Sequence, residues 1–172
     1  MSMGLDENRF APVSRPMKNR DIDIFLSGHE NNPLRRMIRE KCERMSGRYR
    51  VRAPREMVPY EEYQEMLQRA KLAVCIESFG GETWRQYEVA AAGAIPLMSW
   101  PYTQVFEPLV PDEHAFYFSY MSDHFERTVE EALRDGDRLQ RMSDAARQFV
   151  LEKKGRKGLL NYVVDTTLIS SS

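Results

Sequence analysis

The run Phe79-Gly80-Gly81-Glu82-Thr83-Trp84-Arg85-Gln86-Tyr87-Glu88, continuing into Val89-Ala90-Ala91-Ala92-Gly93-Ala94-Ile95-Pro96-Leu97, constrains the fold of this chain most. Before it stands Leu72-Ala73-Val74-Cys75-Ile76, a continuous apolar stretch of the kind found in strands buried on both faces. A glycine loop follows, and then a helical segment from Trp84 to Ala92. Thr83 is placed to cap that helix, with Gln86 completing a capping box and Gly93 as the stop. Ala94 to Met98 reads as the next strand, with Pro96 an awkward occupant if that strand is central.

Residues three apart on a helix share a face, so Arg85 and Glu88 are presented together near its N-terminus. That end of a helix attracts anions through its free N–H groups and macrodipole. The arrangement suits a nucleoside diphosphate, with Arg85 and the loop amides toward phosphate and Glu88 toward ribose hydroxyls. The same spacing also describes an ordinary exposed ion pair, worth a few tenths of a kcal/mol, ~0.2–0.5.

Beyond this run, strand and helix signals alternate. Ile22-Asp23-Ile24-Phe25-Leu26 is a strand ending at Ser27-Gly28. Leu34, Met37, Ile38, Cys42 and Met45 fall on one helical face, closed by Gly47. Tyr49-Arg50-Val51 is a short strand, and Tyr60, Tyr63, Leu67 and Ala70 make another helical stripe. Ala115 to Phe118 is the last strand. Helical patterns follow at Phe125–Leu133, Leu139–Val150 and Leu159–Leu168. The expected fold is α/β: a Rossmann-like, three-layer domain with a parallel sheet of about five strands and a helical C-terminal end. Its organisation is expected as a flexible segment over 1–20, a single Rossmann-like domain over 21–168 and a tail over 169–172. In such sheets ligands sit beyond the carboxyl ends of the strands. Gly28, the residues after Val51, Glu77 to Gly81 and Ser99 to Thr103 belong to that edge.

Composition narrows the function. The 172 residues carry 25 Lys plus Arg against 26 Asp plus Glu. That balance gives no support to a nucleic-acid binder, which shows a basic excess or stripe. No apolar run is long enough for a transmembrane helix, and the N-terminus lacks a secretory core. Cys42 and Cys75, both in apolar stretches, are expected as buried free thiols, and the expected location is cytoplasmic. Two cysteines without clustered histidines make no zinc site.

The order of elements from about Asp21 to Leu168 resembles the C-terminal, donor-binding half of GT-B group 1 glycosyltransferases, most nearly those of spore-maturation-protein type. The motif carrying the likeness is Arg85-Gln86-Tyr87-Glu88-Val89-Ala90-Ala91-Ala92-Gly93 with its following strand, approached through Tyr63 to Leu72. The resemblance implies a nucleotide-sugar donor and no tightly bound cofactor. It implies donor binding by Glu88, Gly80, Gly81, Glu82 and Thr83, with Gly28 and His29 approaching the phosphates from the first-strand loop. Arg85 would face the leaving diphosphate, with Arg35 or Arg36 in place of the basic pair that usually stabilises it, and residues from Ala53 to Met57 would border the base. The sequence departs from the family at Gly80, where many members carry a second glutamate; Glu77 and Glu82 are off register. A complete enzyme of this class has two such domains, so an acceptor-binding domain or partner chain is expected.

Other motifs are weaker. Asp21-Ile22-Asp23 matches an Asp-x-Asp metal motif but sits at the start of its strand, away from the ligand edge. The histidines His29, His114 and His124 are dispersed, and only His29 lies at that edge. Lys153-Lys154-Gly155-Arg156-Lys157 reads as a solvated helix junction or, alternatively, an anion patch. No P-loop, dinucleotide glycine fingerprint or serine elbow is present. Two readings follow: a nucleotide-sugar-binding glycosyltransferase domain, or a non-catalytic Rossmann-like module for a nucleotide or protein partner. Turnover of a donor separates them.

Overall fold

The computed structural model describes residues 5, 6, 10, 12, 13, 15–28, 32–77, 83–158, 160 and 164. Its strands are β1 (Ile22–Phe25), β2 (Val51–Arg52), β3 (Ala70–Cys75), β4 (Ile95–Ser99) and β5 (Phe116–Phe118). Its helices are α1 (Pro33–Met45), α2 (Tyr60–Arg69), α3 (Arg85–Ala91), α4 (His124–Ala132) and α5 (Gly136–Lys153). The strands form one sheet in the order β2-β1-β3-β4-β5, and every pairing is parallel. This is the expected α/β architecture. The order adds what periodicity could not: the chain steps from β1 outward to β2, then returns across β1 to β3. The strand order therefore reverses between β1 and β3, where an open sheet offers its ligand crevice.

Both faces of the sheet are covered. On β3, Leu72, Val74 and Ile76 face the layer of α1 and α4, packing with Ile38, Cys42, Phe125 and Val129. Ala73 and Cys75 face the opposite layer with Tyr63, Leu67, Tyr87 and Ala90 from α2 and α3. Small side chains dominate where α3 meets the sheet: Ala90, Ala91, Ala92 and Ala94 are all enclosed. With little side chain between them, helix and sheet backbones approach closely. Helix α5 serves both layers, its Leu139 and Met142 joining one core and its Ala146 and Val150 the other.

Several local expectations shift. Helix α2 runs directly into β3, so the strand starts earlier than its apolar run suggested. The enclosed Arg20 closes that junction, donating to the carbonyls of Ala70 at 2.6 Å and Leu67 at 3.4 Å. Burial lowers its pKa to about 10, against the opposing pull of Asp144. Pro96 is tolerated inside β4 because β5 begins opposite Leu97, so the ladder on that side starts after the proline. Gly47 makes no left-handed stop; Ser46 ends α1 instead, its hydroxyl donating to the Glu43 carbonyl. Leu5 bridges Gly155, and Phe10 and Met17 join the two cores. Lys154 is enclosed rather than solvated, donating to the Phe106 carbonyl and lying over the Tyr87 and Phe106 rings. Among the described residues, no helix is long and apolar enough to cross a membrane.

At the amino edge of the sheet the charges are neutralised. Asp21 is bound by Arg69 and Arg15. Asp23 accepts from Arg50 Nε and Nη2 at 3.0 and 2.9 Å and from the Arg50 backbone at 2.9 Å, with Lys71 at 2.9 Å. These cations occupy both carboxylates of the Asp-x-Asp sequence, and no group of metal ligands forms among the described residues. Burial alone would raise the Asp23 pKa, but the hydrogen bonds from Arg50 and Lys71 take it well below the usual range. A folded pKa below the unfolded one gives stability that is present above the unfolded value, about 3.9, and lost as pH falls through the folded one. We therefore expect Asp23→Asn to cost about 2 kcal/mol at pH 7. In urea titrations across pH, its deficit relative to the parent narrows below about pH 4.

Candidate functional site

The site is built at the reversal between β1 and β3. Helix α3 begins at Arg85, one residue later than expected, with Trp84 in the cap position. Thr83 still assists, its hydroxyl accepting from the Arg85 N–H at 3.3 Å. Gln86 is buried and lines a small cavity with Cys75, Glu77, Met98 and Ser99.

From that first turn the Arg85 side chain crosses to the end of β1 and donates through Nη1 to the Ser27 carbonyl. It lies under Gly28, whose φ is 118°. A Cβ on Gly28 would stand 2.8 Å from Arg85 Nη1, so the backbone conformation calls for glycine and a larger residue would push the guanidinium aside. The Tyr63 ring of α2 flanks the guanidinium at 6.0 Å from its centroid. Tyr63 and Cys75 both sense Arg85 and Glu88, which places the two charged groups around the same buried ring and thiol. Burial raises the Cys75 thiol to about 12, so it is no nucleophile at neutral pH.

Arg35, near the start of α1, completes a cationic pair. Burial lowers its pKa, and the neighbouring Arg85 lowers it further. Two guanidiniums held within mutual influence form a site whose repulsion an anion would relieve. Arg39, one turn further along α1, supports the crevice from below. It donates to the Ala53 carbonyl after β2 at 2.8 Å and to the Gly28 carbonyl at 3.3 Å. Sequence reasoning passed over Arg39; its signal was a cation between Ile38 and Cys42, on the face α1 buries.

Glu77 follows β3 at the same edge, and Ser99 and Tyr120 close it beyond β4 and β5. Tyr63 was read as core alone, and Tyr120 was not singled out. Of the expected donor-binding residues, the structure brings together Arg85, Glu88, Thr83, Gly28 and Arg35. His29, Gly80, Gly81 and Glu82 lie outside the described residues. Two of the dispersed histidines are structural: His114 Nδ1 accepts from the Val110 N–H and its ring stacks on Phe149, while His124 Nδ1 accepts from the Ser119 N–H. Trp100 is half exposed, supported from beneath by Tyr117 with ring centroids 4.6 Å apart.

The site thus gathers Arg35, Arg39 and Arg85 at the topological switch point of a doubly wound parallel sheet. Residues 16–155 match the model of the glycosyl transferase-like family, and the chain belongs to that family. No curated protein matches the chain at the level of sequence. Three solved structures share the fold. Sucrose-phosphate synthase from Thermosynechococcus elongatus has a TM-score of 0.65 at 14% identity, over 98% of this chain and 52% of that one. The C-terminal domain of a group 1 family glycosyl transferase from Francisella tularensis has 0.63 at 13%, over 89% of this chain and 100% of that domain. The catalytic domain of starch synthase IV from Arabidopsis thaliana, bound to ADP and acarbose, has 0.51 at 11%, over 95% of this chain and 41% of that one. The chain thus spans about half the length of the synthase, and the whole of the Francisella C-terminal domain.

The contact between Gly28 and Arg85 makes a direct prediction. Gly28→Ala is expected to cost about 1–3 kcal/mol through strain and clash. In a double-mutant cycle by urea denaturation, Arg85→Ala should recover the steric part of that loss and leave the backbone part.

Proposed function

We propose that this chain is the donor-binding domain of a glycosyltransferase, taking a nucleoside diphosphate sugar at the β1/β3 crevice. The observation that carries this reading is the Arg35–Arg85 pair held at the switch point, beneath a glycine whose backbone leaves room for close approach. Arg85 faces the diphosphate together with Arg35. Glu88, one turn into α3, accepts from the ribose hydroxyls, and Gly28 lets the phosphates approach the backbone. Thr83 and the loop residues Gly80, Gly81 and Glu82, with His29, would border the same ligand. As the glycosidic bond to the donor phosphate breaks, negative charge grows on the departing diphosphate. Two fixed guanidiniums aimed there stabilise the transition state more than the ground state.

The acceptor and the group that activates it would come from a second domain or a partner chain. An acceptor-binding domain or partner chain would close over the exposed edge that carries Trp84, Trp100 and Tyr102. The second reading, a non-catalytic nucleotide-binding module, uses the same crevice without turnover.

The test is a thermal-shift screen of uridine, guanosine, adenosine and thymidine diphosphates against the parent, Arg85→Ala, Arg35→Ala and Glu88→Ala. One diphosphate should raise the parent's Tm at millimolar concentration, and each variant should lose most of that rise. If none shifts the parent, the donor-domain reading fails. Release of nucleoside diphosphate from its sugar conjugate, once an acceptor domain is supplied, separates enzyme from module.

A further inference from the structure

An arginine can be fixed in place by a carboxylate or by neutral groups, and the difference decides what charge is left to it. Arg50 and Arg69 are fixed by Asp23 and Asp21 and are neutralised there. Arg85 is fixed differently. Its Nη1 donates to the Ser27 carbonyl, and its guanidinium carbon stands 6.0 Å from the centroid of the Tyr63 ring. A carbonyl dipole and an aromatic face hold a guanidinium without cancelling its charge.

The Tyr63 ring is itself fixed by packing. The residue is 9% exposed, and its ring centroid lies 5.9 Å from that of Phe25 on β1 and 6.4 Å from that of Tyr60. Helix α2, which carries it, runs without a break into β3, so the sheet sets where the ring stands. The hydroxyl takes no part in this. Its oxygen is enclosed and has no hydrogen-bond partner among the described residues. Burial raises its pKa far above the usual tyrosine value, against the opposing pull of Arg85, so it stays protonated. What Arg85 meets is a neutral ring.

We infer that Tyr63 is a positioning residue for Arg85: its ring holds the guanidinium at the β1/β3 crevice and leaves the positive charge to the diphosphate. This rests on the donor reading proposed above. The requirement at residue 63 is for an aromatic face and not for a hydroxyl. An aliphatic side chain of similar bulk would fill the core and release the guanidinium. Once released, Arg85 could swing to Glu88, three residues on along the same helix, and each would cancel the other's charge.

Two measurements on the full chain test this, with Tyr63→Phe and Tyr63→Leu beside the parent, and Tyr63→Met in place of the leucine variant should that one not fold. The first needs no ligand. The nitrogen–proton heteronuclear NOE of the Arg85 Nε–Hε group, assigned by its loss in Arg85→Lys, reports side-chain order on the fast timescale. It should be high in the parent and in Tyr63→Phe, and fall to the level of exposed arginines in Tyr63→Leu. The second is isothermal titration with uridine, guanosine, adenosine and thymidine diphosphates. For the one that binds, Tyr63→Leu should weaken affinity about fivefold, and Tyr63→Phe should change it by less than about twofold. A ring kept only for the core would lower the Tm of Tyr63→Leu while Arg85 stayed ordered and diphosphate affinity intact. That result overturns the inference, as does a loss of affinity in Tyr63→Phe equal to that in Tyr63→Leu. Binding of no diphosphate to the parent overturns instead the donor reading, and the NOE then decides the positioning of Arg85 by itself.

Discussion

The reach of Arg85 from the first turn of α3 to the Ser27 carbonyl is the contact on which the site depends. It ties the helix after β3 to the loop after β1, across the one place where the strand order reverses. The contact needs three things at once. The chain must turn at Gly28 with a positive φ, and a side chain there would displace the guanidinium. Helix α3 must lie close to the sheet, which its run of alanines permits. Arg39 must hold the Gly28 and Ala53 carbonyls together from below. Remove any of these and the guanidinium loses its position before it loses its charge.

The elements were legible because their hydrophobic periods are strong and their boundaries carry Gly, Pro and Asn. Leu72 to Ile76, the Phe125–Val129–Ala132 stripe and the α5 face read directly as buried surfaces. The order of the strands was not legible, since alternation along a strand says which face is buried and nothing about its neighbour. The direct α2–β3 junction was missed for a related reason. Its carbonyls are satisfied by Arg20, from a segment remote in sequence that composition marked as a lead-in.

At the site, Arg85, Glu88 and Gly28 were readable because a helix start and a strand-end glycine have local signatures. Tyr63 was hidden by its own hydrophobicity: the ring that flanks Arg85 also packs on Phe25, 5.9 Å away, and counts as core by any periodic rule. Tyr120 carries no pattern at all, and it joins Glu77 and Ser99 only because three parallel strands end side by side. Side chains that converge through topology leave no trace in local spacing.

The two ends of the sheet treat charge in opposite ways. At the amino edge, Asp21 and Asp23 are each met by two cations, and the hydrogen bonds to Asp23 outweigh the penalty of its burial. At the carboxyl edge, Arg35 is held within the influence of another cation, and one carboxylate oxygen of the half-buried Glu77 has no hydrogen-bond partner among the described residues. Nothing in the backbone forces this, since the sheet that pairs carboxylates with arginines at one end has the same residue types at the other. The difference is where the ligand crevice lies. Groups paired within the fold stabilise it whether or not a ligand is present, but their hydrogen-bonding capacity is already used. Like charges weaken the free protein, and a bound anion would relieve them. An open sheet can carry that arrangement at one edge because the ion pairs of the other edge, and the two apolar layers between, stabilise the fold with no ligand present.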